Sequence, residues 1–268
     1  MAENLEEEIK MKSNNPFANH GIEHLSISKI NLWVNDPAKF VATYLCKVSS
    51  SVGVGAFRGT SVEFALSKYL EDRTLSDNLV DEYMFSTFDK ECIENNINTN
   101  SEVALKEKKT LNNYFNQAKE LYKDYYPPEF YQHKVLLNIH EDLPIPFLGY
   151  IDFVFKNDDV GIRDLKTTAR MPSKMSEAHS RQLALYSLAF PNKSLWCDYV
   201  TPKQTISYKL SDQDSKLKEI IKISMGLMKF LSISDDPYEL ASMFYPDLDS
   251  WMWNDEYKTK IKTIWSNE

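Results

Sequence analysis

Residues 149–168 read GYIDFVFKNDDVGIRDLKTT, and the fold follows from how this stretch pairs with itself. Residues 150–155 (YIDFVF) and 160–167 (VGIRDLKT) are apolar-rich and β-prone, and the Lys-Asn-Asp-Asp cluster between them has the composition of a turn. With Asn157, Asp158 and Asp159 as a three-residue loop, Lys156 faces Val160 and Asp152 faces Asp164 across an antiparallel pair. Strand alternation then sets Lys166 on the face of Asp164 and turns Leu165 to the other. Two carboxylates directly opposite repel, so positive charge has to compensate them: Lys166 alone, or a bound divalent cation. A slip of one residue would scatter the three groups over both faces.

Working outward, residues 176–190 read as a helix on which Gln182, Leu185, Tyr186 and Ala189 share one face. Gln182 and Tyr186 can lean together toward the sheet, to orient a phosphate backbone or the lysine, or simply to form a buried hydrogen bond. Residues 194–200 and 205–210 look like further strands, and a strand, helix and strand in that order suit an α/β fold with a central mixed sheet flanked by helices. Upstream, residues 133–140 read as a strand, with His133 and His140 as satisfied edge histidines. Helices are expected at 28–45, with Trp33, Phe40 and Tyr44, and from Arg58 through Leu70. On the second, Val62, Leu66, Tyr69 and Leu70 form an apolar stripe with Glu63 at its edge. A carboxylate placed there suits a metal ligand, or an edge glutamate reaching solvent. Leu111, Tyr114, Phe115, Ala118, Leu121, Tyr122 and Tyr125 repeat at helix spacing as core packing, and Pro127-Pro128 ends that run.

The order of these elements resembles the PD-(D/E)xK nuclease superfamily, in its RecB-like exonuclease branch. Gly149-Tyr150-Ile151-Asp152 resembles the G-x-x-D element, Asp164-Leu165-Lys166-Thr167 resembles D-x-K-T, and Gln182 with Tyr186 resembles Q-x-x-x-Y. Ser26-Ile27-Ser28, Asp36-Pro37-Ala38-Lys39-Phe40 and Arg58-Gly59-Thr60 resemble the upstream S-x-S, C-P-x-K-F and R-G-T elements, so the likeness runs from about 25 to 210. It implies a restriction-endonuclease-like core over 22–268 as a single domain, with a helical insertion at about 71–128; residues 1–21, polar and rich in Asn and Glu, read as a mobile tail. Glu63 stands where many relatives have His, and a carboxylate suits magnesium or manganese better than imidazole does. The resemblance implies metal ligation by Asp152, Asp164, the Leu165 carbonyl and Glu63. It gives Lys166 the placing or deprotonation of water, or the stabilisation of the phosphate in its transition state. Gln182 and Tyr186 complete the catalytic set, and Arg58, Thr167, Arg170, Lys174 and Arg181 become DNA contacts. Asp36 replaces the cluster cysteine of some relatives and only Cys46, Cys92 and Cys197 are present, so no iron–sulfur cluster is expected.

Composition bounds the rest. The chain of 268 residues has 43% hydrophobic content, enough for a sizeable core. No apolar run reaches membrane-span length, residues 1–10 lack a signal-peptide pattern, and three unpatterned cysteines suit a reducing, cytoplasmic setting, the host's if the gene is phage-borne. GxxxxGK and GxGxxG are absent, which argues against an NTPase or dinucleotide site. The net charge of −8 opposes nucleic-acid binding, but residues 163–181 carry five basic residues against two acidic, a local net of +3. Arg170 and Lys174 read equally as an ordinary solvated loop. The expected function is a Mg2+- or Mn2+-dependent DNA exonuclease acting on linear ends in phage or mobile-element recombination, replication or DNA degradation. Partners could include a single-strand-binding or annealing protein, and an oligomer fits. Two alternatives are a non-catalytic DNA-binding or assembly subunit that keeps the nuclease fold, and a hydrolase of another phosphate ester.

Overall fold

The computed structural model describes residues 15–49, 52–250 and 253–265. By their contacts the described residues form two compact units, the first drawn from within 1–50, 136–149 and 214–268 and the second from within 51–135 and 150–213.

The second unit carries the chemistry-bearing motifs. Helices α4 (Val54–Glu71), α5 (Asp77–Glu94), α6 (Glu102–Lys108) and α7 (Leu111–Leu121) precede the sheet, the last three falling inside the expected insertion. Ser76 and Ser101 cap α5 and α6 by accepting the Leu79 and Ala104 amides. The stripe read from sequence is core: Val62, Leu66 and Leu70 of α4 pack with Val80, Met84 and Phe88 of α5 and with Tyr114 and Phe115 of α7. Phe153, Leu165 and Val200 from the sheet join the same cluster. Burying such side chains stabilises by about 1.5–3 kcal/mol each, which fixes the helical layer against one sheet face.

The sheet has five strands in the order β1 (Phe130–Leu137), β2 (Phe147–Val154), β3 (Ile162–Thr167), β4 (Leu195–Val200) and β5 (Thr205–Lys209). β2 and β3 are antiparallel, β3 and β4 parallel, β4 and β5 antiparallel, with helix α8 (Glu177–Ser187) making the crossover from β3 to β4. This is the mixed α/β sheet flanked by helices that the sequence predicts. The β2–β3 register pairs Phe153 with Arg163 and Val154 with Ile162, the register expected from the turn composition. The connecting loop is longer than three residues, because pairing ends at Val154 and Ile162. Gly161 turns the chain there at φ +64°, and a Cβ would meet the Ser194 carbonyl at 2.0 Å, so only glycine fits.

Arg163 and Leu165 face the helical layer. Arg163 Nη1 donates to both oxygens of Asp198 at 2.8 and 2.9 Å, and the Tyr122 and Ser207 hydroxyls donate to the same carboxylate at 2.6 Å each. The guanidinium also lies over Tyr125 and Trp196. This corrects the charge count over 163–181: Arg163 is spent in a buried pair and contributes nothing to a basic surface.

In the first unit, the single helix expected over 28–45 is broken. α2 (Ile27–Asn35) ends before Pro37, Asp36 caps the short α3 (Pro37–Phe40) through the Lys39 amide, and a π-turn covers Val41–Leu45. Proline cannot continue α2, and the Asp36 carboxylate satisfies the restart. The expected tail reached residue 21, yet Pro16–Asn19 (α1) is already helical and Phe17 is fully buried; residues 1–14 lie outside the described residues. Of the aromatic C-terminal residues, Trp251 also lies outside them. Trp253 packs with Tyr257, Ile261 and Ala42, and Trp33 contacts Phe230 and Phe244, so these rings fill core. No helix among the described residues is long and apolar enough to cross a membrane.

Candidate active site

The site gathers where the β2–β3 ladder stops. Beyond Phe153↔Arg163, the Leu165 amide donates 2.9 Å to Asp152 Oδ2, so a carboxylate takes a backbone bond and the strands part there. Alternation puts Asp164 and Lys166 on one face of β3. The Lys166 ammonium lies 2.7 Å from Asp164 Oδ2 and 3.8 Å from Asp152 Oδ2. Asp152, Asp164 and Lys166 therefore converge as the alternation argument requires. What the structure ties to Asp152 is the Leu165 amide; the Leu165 carbonyl remains a proposal.

Burial of Lys166 favours its neutral form, but Asp164 and then Asp152 outweigh it and hold the ammonium well above the ordinary lysine range. With no cation on the carboxylates, Lys166 is held as a positive charge, unsuited to taking a proton from water. Asp152 is pushed well up by burial and then by Glu63, with Lys166 and the Leu165 amide opposing. Burial likewise pushes Glu63 up to about 7, against the Gln132 hydrogen bond and Lys166. Glu63 keeps partial solvent contact, and water screens part of these interactions.

A raised carboxylate means that the folded state holds its proton more tightly than the unfolded chain does. For Glu63 that contribution is fully present below its ordinary 4.5 and is lost as pH rises through about 7. In the absence of divalent cations, melting temperature should therefore fall between about pH 5 and pH 8. Asp152→Asn and Glu63→Gln should flatten that slope and raise the melting temperature at pH 8. Thermal melts at the two pH values in EDTA check this; an unchanged slope in both variants would contradict it.

Gln132 was not foreseen. It sits within β1 at φ +48°, left-handed backbone that a non-glycine residue adopts at a cost of roughly 1–2 kcal/mol. Its carboxamide donates to Glu63 Oε1 and reaches Asp152 Oδ1 at 3.5 Å. A cleft of about 580 Å³ opens beside it, lined by Thr60, Glu63, Phe64, Lys90, Tyr131 and Gln132 among others.

The remaining expected residues divide. Gln182 donates to the Tyr186 hydroxyl at 2.9 Å, and Tyr186 donates to the Tyr150 carbonyl at 2.5 Å, tying α8 to β2 two residues before Asp152. They brace the strand. Arg58 is buried: it donates to the Thr167 hydroxyl and carbonyl, pairs with Glu107 at 2.5 Å and stacks on Tyr114. Arg58 and Thr167 thus clamp the end of β3 together, and Arg181 is buried too, so neither arginine is an exposed phosphate contact. Arg170 and Lys174 are exposed. A second unforeseen residue is His179, whose Nδ1 lies 2.6 Å from the Tyr199 hydroxyl opposite Lys166 on β4. Its spacing of three from Gln182 and seven from Tyr186 was the available signal. His133 packs against Phe130 and Phe190, and His140 lies at the surface near Asp142, in keeping with edge histidines.

Asp164 Oδ1 is buried with no hydrogen-bond partner, and Asp164 Oδ2 is met by the Lys166 ammonium at 2.7 Å. Orphaned carboxylate oxygen beside two more carboxylates is the donor set of a hard divalent cation. As the side chains stand, no three His, Cys, Asp or Glu residues among the described residues are arranged to hold an ion. Nitrogen lies between the carboxylates instead, Lys166 between Asp152 and Asp164 and Gln132 between Asp152 and Glu63.

A family model described as the PD-(D/E)XK nuclease superfamily matches residues 24–263. The chain belongs to that superfamily. Within the matched range, the charges of Asp152, Asp164 and Lys166 meet where β2 and β3 part. PD-(D/E)XK nucleases generally use divalent metals such as Mg2+ or Mn2+. Among solved structures, the chain is similar to the crystal structure of SSO0001, at 13% identity over 75% of this chain and 83% of that one, with a TM-score of 0.34. A likeness that distant bears on neither substrate nor mechanism. No curated protein matches significantly.

Proposed function

We propose that this superfamily member is a Mg2+- or Mn2+-dependent deoxyribonuclease that degrades linear DNA from its ends and leaves 5′-phosphates. The observation that carries the reading is the Asp152–Asp164–Lys166 cluster, with Asp164 Oδ1 buried and without a hydrogen-bond partner. A structural scaffold gains nothing from such crowding, which costs stability, whereas a phosphodiesterase requires it. Asp152, Asp164, Glu63 and the Leu165 carbonyl would hold the ion, which supplies Lewis-acid compensation for charge growing on the phosphate oxygens. Lys166, kept protonated by its two partners, adds a fixed positive charge toward the same oxygens and orients the attacking water by donating to it. Tyr186 and Gln182 keep β2, and with it Asp152, in place. Arg170 and Lys174, just past β3, offer backbone phosphate contacts, and the cleft beside Glu63 has room for a strand end with Phe64 and Tyr131 as apolar walls.

End-labelled linear duplex, nicked circles and covalently closed circles incubated with Mg2+ or EDTA test the exonuclease assignment. Loss of linear DNA in Mg2+, with closed circles intact and no loss in EDTA, is expected. Cutting of closed circles would make the chain an endonuclease. Binding without degradation in any metal would make it a non-catalytic DNA-binding subunit.

A further inference from the structure

We infer that Gln132 is itself a cation ligand, turning its carboxamide so that Oε1 rather than Nε2 faces the space between Glu63 and Asp152. The inference rests on the metal-dependent nuclease reading and adds a residue that the superfamily motif does not contain. Three independent observations converge on it. The backbone of Gln132 is left-handed in the middle of a strand, a conformation that glycine adopts freely and glutamine does not, and such outliers gather where a side chain has to be aimed. The aimed group bridges Glu63 and Asp152, the second of which it shares with Lys166, donating to Glu63 and reaching Asp152. It also lines the cleft that opens at Glu63, so an ion and a phosphate can reach it from solvent.

The chemistry of the amide explains why glutamine stands there. Its two ends are nearly equal in size but opposite in polarity, donor at nitrogen and acceptor at oxygen. With nitrogen inward it satisfies two carboxylates; turned end for end, it presents a neutral carbonyl oxygen, a ligand that hard divalent cations accept beside carboxylates. A lysine in this place could do only the first, and an aspartate only the second. Gln132 therefore exchanges places with the ion at no cost in net charge.

Calorimetric titration of Mn2+ into the full chain, into Gln132→Gly and into Gln132→Glu decides the matter, alongside thermal melts without cation. Glycine suits the φ of +48°, so Gln132→Gly should melt no lower than the parent while its Mn2+ dissociation constant rises about tenfold or more. Gln132→Glu, which presents oxygen at either end, should bind Mn2+ at least as tightly as the parent. Parent-like affinity in Gln132→Gly would overturn the ligand role, as would a glutamate variant as weak as the glycine one. A parent that takes up no Mn2+ would overturn the cation site as a whole, and this ligand with it, an outcome distinct from the other two.

Discussion

Lys166→Ala is expected to lower the rate of DNA cleavage by at least about 10²–10³-fold while the protein still folds. Among the described residues the ammonium is the positive charge that joins Asp152 and Asp164, at 3.8 and 2.7 Å, and both hold it protonated. Its loss removes charge stabilisation that acts only as negative charge develops on the phosphate, so kcat should fall far more than KM rises. Lys166→Arg keeps the charge but not its place, since a planar guanidinium cannot occupy the position of a compact ammonium, and it should rescue little. If the lysine instead deprotonated water, the pH–rate profile of the parent would show a limb for a group of depressed pKa. The ion pairs predict no such limb. Initial rates on linear duplex across pH 6 to about 9 separate the two.

Asp198→Ala is the second large effect, on stability rather than on chemistry. Asp198 is fully buried and accepts four hydrogen bonds, from Arg163, Tyr122 and Ser207. Removing it strands the Arg163 guanidinium against the core, and breaking a buried pair from one side costs about 3–5 kcal/mol. For a chain of this size that is a fall of roughly 10 °C in melting temperature. Replacing both partners, Arg163→Met with Asp198→Leu, should recover most of the loss, because the desolvation of two charges disappears together with their attraction. A single variant within about 1 kcal/mol of the parent would show that the pair is not what holds β3 to β4. These two predictions fall on paired strands, Lys166 on β3 and Asp198 on β4, and concern opposite faces of β3: Arg163, held by Asp198, fixes the strand, while Asp164 and Lys166 face the chemistry.

The sheet, its register and the meeting of Asp152, Asp164 and Lys166 were legible because strand alternation and turn composition are local rules, and a period of two leaves one register compatible with both. Gln132 was not legible, since nothing in FYQHKVLL marks a left-handed residue at its third position. The arginines were misread for a related reason. A sequence counts Arg58, Arg163 and Arg181 as charges, whereas folding buries all three, two of them against Glu107 and Asp198. The break in the first long helix was written in Asp36-Pro37, a capping residue before a helix-breaking one, but apolar spacing through Phe40 and Tyr44 masked it. His179 lay on the same helical face as Gln182 and Tyr186 and became visible once Tyr199 was placed beside Lys166.

The most direct measurement is the release of acid-soluble, 5′-phosphorylated nucleotide from linear duplex DNA in Mg2+, followed for the parent and for Asp164→Asn side by side. Release by the parent, abolished in the variant and in EDTA, is the predicted result. Equal release by both proteins, or none from the parent in either Mg2+ or Mn2+, would contradict the assignment of this carboxylate cluster to phosphodiester cleavage.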